Sequence, residues 1–173
     1  PRDLVISVAA ECRLSEIAAA AAPHHQRLPV APPGDPSVGQ VVMEDLFGLE
    51  AGGHGRIRDW LLGIEGTTGD GAEFTAGGRV VKNVTGFDLM RLVCGSRGTL
   101  MTLRSAHLRL AANPAARRVV GARCGLETAL QTAERLRMDT TLRPVSITLS
   151  RRSEGACQVA VAFEGAPAAV DAQ

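Results

Sequence analysis

Residues 77–110, GGRVVKNVTGFDLMRLVCGSRGTLMTLRSAHLRL, constrain this chain more than any other stretch. Gly77, Gly78, Gly86, Gly95 and Gly98 punctuate the run, and Lys82 is the only lysine of the whole chain. The pattern predicts a loop, a short helix, a glycine turn and then a strand. Thr85-Gly86-Phe87-Asp88 has capping-box spacing, in which a threonine hydroxyl accepts from a first-turn amide and an acid bonds back toward the cap. Leu89, Leu92 and Val93 then give the helix an apolar face. Gly95 suits a left-handed helix stop because it has no Cβ to clash there. Gly98 and Thr99 turn the chain into an apolar strand over 100–110.

The same block resembles the flavin-binding domain of the vanillyl-alcohol oxidase and p-cresol methylhydroxylase superfamily (VAO/PCMH type), and within it the FAD-binding subunits of glycolate-oxidase type. That pattern runs as a glycine pair, R-V-V-K-N-V-x-G, an aromatic, D-L and a G-S-x-G-T-L turn. Here it reads Gly77-Gly78-Arg79-Val80-Val81-Lys82-Asn83-Val84, Gly86-Phe87-Asp88-Leu89 and Gly95-Ser96-Arg97-Gly98-Thr99-Leu100. The resemblance implies an α+β fold. Residues 1–113 would form the second lobe of an FAD-binding domain, a mostly antiparallel sheet with flanking helices. Residues 114–173 would be part of a ferredoxin-like substrate domain. It also implies that a first glycine-rich β-α-β lobe and the rest of the substrate domain lie outside these residues.

Composition excludes several other classes. Of 173 residues 45% are hydrophobic and 21% charged, a globular balance rather than a disordered one. A formal net charge of +1 gives no electrostatic reason to bind nucleic acid or an acidic membrane surface. Aromatic residues are only 3%, too few for base-stacking platforms. Cys12, Cys94, Cys124 and Cys157 lie far apart and show no C-x-x-C or histidine spacing, so neither a zinc site nor a disulfide framework is expected, and buried free thiols in a reducing cytoplasm are. No apolar run is long enough to span a bilayer, and no leader is expected before the first strand.

Taken in order, Asp3 to Ala9 reads as a strand, and Leu14 onward through the alanines as a helix stopped by Pro23. His24-His25 reads as a surface turn. In Gly34-Asp35-Pro36-Ser37-Val38-Gly39, Asp35 is expected to cap a helix with Pro36 at its first position, leaving amides free as an anion site. On spacing alone an ordinary capped helix after a proline loop is the favoured reading, and only the resemblance reverses it. By the resemblance this run lies against the flavin pyrophosphate, which makes Pro33, Gly34, Ser37 and Gly39 cofactor-side candidates. Gln40 stands where relatives carry a second glycine, Asp45 where they carry an asparagine, and Glu44 and Glu50 add further carboxylates that would repel a pyrophosphate.

Gly55-Arg56-Ile57-Arg58-Asp59 returns to the family pattern of a glycine, R-D and an apolar strand. Arg58 and Asp59, read as adjacent strand residues, either form a structural ion pair, the favoured reading, or hold a loop, and Leu61 to Thr68 reads as a strand. Gly69-Asp70-Gly71 reads as its hairpin turn and 72–76 as its partner. Asn113-Pro114 marks a boundary. Beyond it come a strand over 119–124, a helix with Leu126, Ala129, Leu130, Ala133 and Leu136 as its apolar stripe, strands over 145–149 and 157–163, and the start of a second helix at Pro167.

No Ser-His-Asp order, H-E-x-x-H, Walker lysine or complete G-x-G-x-x-G is present. His54, in a glycine loop where relatives carry a tyrosine, is the weak catalytic candidate; His107 reads as a packed strand histidine. Lys82 and Asn83 either reach a flavin or an acid substrate, or satisfy buried carbonyls. The cofactor-side set implied by the resemblance is completed by Gly55, Gly86, Gly98, Thr99 and Leu100.

The implied function is an FAD-binding subunit, or part of one, of a 2-hydroxy-acid oxidoreductase, with hydride passing from substrate to FAD and electrons on to partner subunits. FAD is expected to be weakly held or absent in the chain by itself. The implied location is cytoplasmic, reaching the inner face of the membrane through partners. The alternative is a non-catalytic structural paralogue that has lost FAD.

Overall fold

The computed structural model describes residues 3–78, 89–139, 141–151 and 156–172. The elements run β1 (Val5–Ala9), α1 (Leu14–Ala21), β2 (Gln26–Arg27), α2 (Val38–Glu44), α3 (Ala51–His54), α4 (Ile57–Trp60), β3 (Leu61–Thr68), β4 (Glu73–Gly77), α5 (Leu89–Val93), β5 (Met101–Arg109), β6 (Ala111–Ala112), β7 (Ala116–Cys124), α6 (Leu126–Met138), β8 (Ser146–Arg151), β9 (Cys157–Gly165) and α7 (Pro167–Asp171). They group into two compact units, Pro1–Gly48 with Gly55–Asn113, and Leu49–His54 with Pro114–Gln173.

The first unit is built on an antiparallel sheet of order β1-β5-β3-β4. Central β5 alternates buried and exposed residues, as a strand with one packed face must. Met101, Leu103, Ala106 and Leu108 point into a core with Ile17, Ile57, Ile64 and the Val38, Val41, Val42 face of α2. The opposite face is polar. There the His107 ring nitrogen Nδ1 meets Ser7 Oγ at 2.8 Å, the Ser105 hydroxyl donates to Glu65 at 2.8 Å, and the Arg104 fork grips Glu73 at 2.9 and 3.2 Å.

Local chemistry shifts several expected boundaries. Arg58 and Asp59 lie in the short helix α4 rather than in a strand, because the Asp59 carboxylate accepts from the Arg56 amide at 2.9 Å and closes a helical cap. Asp35 does not cap α2. Its carboxylate accepts from the amide and hydroxyl of Ser15 (3.0 and 2.8 Å), in the first turn of α1, and the cap of α2 falls on Ser37. His54 is helical, the last residue of α3.

The second unit is an antiparallel sheet of order β7-β9-β8 with α6 and α7. Its core gathers Ala129, Cys157, Val159, Val161, Phe163 and Val170. Only part of the expected α6 stripe is inward: Ala129 is buried, while Leu126 and Leu130 are exposed. The expected capping box at Thr85 and Asp88 lies outside the described residues.

Candidate functional site

The turn 95–99 folds against α2. Gly95 and Gly98 take φ of +79° and +74°, and Arg97 between them takes +54°, a left-handed backbone that costs a non-glycine residue about 1–2 kcal/mol. The turn is pinned by amide bonds from Gly95 to the Val42 carbonyl (3.0 Å) and from Arg97 to the Met43 carbonyl (2.7 Å). Within the turn, the Thr99 hydroxyl donates to the Ser96 carbonyl at 2.7 Å. Between helix and turn lies an open groove of about 660 Å³ lined by Gly39, Gln40, Met43, Glu44, Leu46, Arg97 and Gly98.

The amino end of α2 offers no free amides for an anion. Val38 donates to Cys12 O (2.8 Å), Gly39 to Ala10 O (2.7 Å), and Gln40 to the Ser37 hydroxyl (3.3 Å). Gln40 also turns its side chain back, so that its Oε1 accepts from the Ser37 amide at 2.9 Å. A Cβ on Gly39 would come within 3.1 Å of the Ala10 carbonyl oxygen, so this glycine serves the packing of α2 on the β1–α1 turn as well as the groove wall.

Of the three carboxylates singled out from the sequence, Asp45 and Glu50 are paired. Asp45, itself left-handed at φ +49°, takes the Arg56 guanidinium at 2.7 Å, and that guanidinium sits 4.0 Å over the Phe47 ring. The other Asp45 oxygen, Oδ1, is buried without a hydrogen-bond partner. Glu50 belongs to the second unit and pairs with Arg117. Glu44 alone of these acids lines the groove.

The structure brings together only part of the sequence-derived set. Gly39 and Gly98 share the groove. Gly34 lies on a separate cavity of about 430 Å³ beside Ser15, Arg27 and Asp35, and Pro33 is exposed next to it. Ser37 is spent as a helix cap. Gly55, at φ +82°, packs against the Asp59 carboxylate. Leu100 lines a small apolar cleft with Phe74, Leu89 and Leu92. Lys82, Asn83 and Gly86 lie outside the described residues. Arg97, Met43 and Leu46 were not singled out from the sequence as groove residues; the one cue was an arginine inside a G-S-R-G turn.

His54 is drawn into an ion cluster of the second unit. Its Nε2 lies 2.9 Å from Glu164, whose side chain is 4% exposed, and Arg117 bridges Glu164 (3.0 Å) and Glu50 (2.6 Å). The ligand atoms of Glu50, His54 and Glu164 come within 4.8 Å of one another, a spacing that suits a cation. The Arg117 guanidinium already supplies the positive charge there.

The residues around the groove fit one side of a flavin dinucleotide. Its volume lies in the range of about 300–1,000 Å³ usual for cofactor sites. A Cβ at Gly98 would meet nothing within 4 Å, so its backbone is open to a ligand. Met43 and Leu46 give an apolar wall, and Arg97 brings a cation to it.

No protein-family profile matches the chain. It is 37% identical over 119 residues to glycolate oxidase subunit GlcE of Escherichia coli, covering 67% of this chain and 34% of that protein. It is 34% identical over 74 residues to D-lactate dehydrogenase of Archaeoglobus fulgidus (43% and 17% covered) and 35% identical over 88 residues to glycolate oxidase subunit GlcD of Bacillus subtilis (47% and 19%). Among solved structures it superposes on alkyldihydroxyacetonephosphate synthase with a TM-score of 0.81 at 18% identity, over 98% of this chain and 36% of that one. The chain thus spans about a third or less of the length of these relatives.

Proposed function

We propose, with the chain belonging to the flavoprotein family whose FAD-binding domains are of the PCMH/VAO type, that it supplies one lobe of an FAD site in a 2-hydroxy-acid oxidoreductase of glycolate-oxidase type. Residues 1–113 hold one side of the cofactor in this reading, and residues 114–173 begin a ferredoxin-like substrate domain. The observation that carries it is the groove in which Gly39 from α2 and Gly98 from the glycine turn meet beside Arg97.

Each wall residue has a distinct task there. The bare backbone at Gly98 lets a phosphate or ribityl chain approach closely. Arg97 places a guanidinium toward an anion, and charge-assisted bonds of that kind are about twice as strong as neutral ones. Met43 and Leu46 exclude water from the apolar part of the ligand. When bound, FAD would take a hydride from C2 of the 2-hydroxy acid. Electrons would then leave through partner subunits; no helix among the described residues is long and apolar enough to cross a membrane.

FAD titration followed by flavin fluorescence tests the reading. The chain alone should bind weakly, and the intact subunit that carries it tightly. Arg97→Ala should weaken binding by about tenfold, equivalent to roughly 1.4 kcal/mol. Unchanged affinity in Arg97→Ala would remove the groove from the cofactor site. Glu44 on the groove wall favours the second reading, a structural paralogue without FAD, and an intact subunit that binds no flavin would establish it.

A further inference from the structure

Cys124 closes β7 and Cys157 opens β9, and the antiparallel register sets the two directly opposite one another. Directly opposed residues on neighbouring antiparallel strands project to the same face of the sheet. Their Cα atoms stand about 4.5 Å apart in a non-hydrogen-bonded pair and about 5.5 Å apart in a hydrogen-bonded one. Both spacings fall inside the window of roughly 4.4–6.8 Å that a disulfide spans. Cys157 is buried in the core of the second unit, and Cys124 is half-buried against the same cluster. One thiol is therefore reachable from solvent and the other sits beside it. Cys12 and Cys94 lie in no strand and pack against the core of the first unit.

We propose that Cys124 and Cys157 form a redox-modification site that closes as a cross-strand disulfide when the protein meets a low-molecular-weight disulfide such as oxidised glutathione. The Cys124 thiolate attacks one glutathione sulfur, forms a mixed disulfide and releases a glutathione thiolate, which takes up the proton that Cys124 lost. The Cys157 thiolate then attacks the Cys124 sulfur and displaces the second glutathione, which is protonated in turn. Two protein thiols are oxidised and one glutathione disulfide is reduced to two thiols. The bond ties off residues 125–156, which carry α6 and β8, and restricts the unfolded chain over that loop. Oxidation thereby stiffens the second unit and leaves the first untouched.

The test is oxidation of the native protein with oxidised glutathione, quenching with iodoacetamide, and tryptic mapping without reductant. The expected product has lost the mass of two hydrogens and yields the peptide 124–135 linked through Cys124 to the peptide that starts at Ser153 and carries Cys157, as one cross-linked species. Its Tm should rise by roughly 10 °C and fall back on reduction with dithiothreitol. The double variant Cys12→Ser, Cys94→Ser should behave as the wild type, and Cys124→Ser should lose both effects. Because the wild-type map needs no variant, a misfolded Cys124→Ser leaves the test intact. Carbamidomethyl groups on both Cys124 and Cys157 after oxidation, a stable glutathione adduct at Cys124, or a link between two molecules would each overturn the proposal.

Discussion

Gln40 Oε1 accepts from the Ser37 amide at 2.9 Å while the Ser37 hydroxyl accepts from the Gln40 amide at 3.3 Å. This reciprocal pair starts α2 and aims it along the groove. Gln40, which stands where relatives carry a second glycine, is the third residue of a capping box. Ser37→Ala should cost about 1 kcal/mol of stability. A lower urea midpoint at unchanged m-value checks it, and an unchanged midpoint would show the cap to be idle.

Arg56 holds Asp45 by a 2.7 Å ion pair and stacks on Phe47. Arg56→Ala strands a carboxylate that is only 18% exposed and already has one buried oxygen without a partner. The expected loss is about 2 kcal/mol, and Arg56→Lys should recover little of it because an ammonium lacks the planar fork. Adding Asp45→Asn to Arg56→Ala should restore part of the loss, since a neutral amide is less costly to leave unpaired. Chemical denaturation of these variants beside the single Asp45→Asn measures the coupling.

Gly66 sits in β3 where the register with β5 shifts. A Cβ there would lie 2.1 Å from the Thr102 carbonyl oxygen, which is backbone and cannot swing aside. Gly66→Ala should therefore destabilise the first unit by more than about 3 kcal/mol. Thermal unfolding reads it directly, and a loss below 1 kcal/mol would contradict the packing described (the scale of a routine surface change).

Asp35 is held below the ordinary aspartate pKa of 3.8, first by the Ser15 amide and then by the Ser15 hydroxyl. A depressed folded pKa means stability that is complete above the unfolded value and is lost as pH falls through the folded one. The loss should begin near pH 3.8 and continue below it. Asp35→Asn should flatten that acid limb. Stability followed across this range in both proteins tests the sign, and an unchanged slope would contradict it.

Much of the architecture is legible in the sequence because its signals are local. The Gly69-Asp70-Gly71 turn, the left-handed stop at Gly95 and the alternation along β5 each follow from residues within a few positions. What sequence misplaces depends on distant partners. Asp35 is drawn to Ser15, twenty residues away, so the cap passes to Ser37. His54 reads as a loop histidine because Glu164 and Arg117 lie far along the chain. Asp45 and Glu50 look like repulsive charges until Arg56 and Arg117 are seen against them. The opposition of Cys124 and Cys157 is likewise invisible in a chain where they are separated by a helix and a strand.

The most direct measurement is the visible absorbance of the purified intact subunit that carries this chain, beside its Gly98→Leu variant. The space around Gly98 is open, so the substitution should cost only about 1–2 kcal/mol for its left-handed backbone and leave the fold in place. Stoichiometric FAD in the wild type and a marked loss in the variant, at unchanged circular dichroism, are expected. A colourless wild type, or a variant as yellow as its parent, would contradict the proposed site.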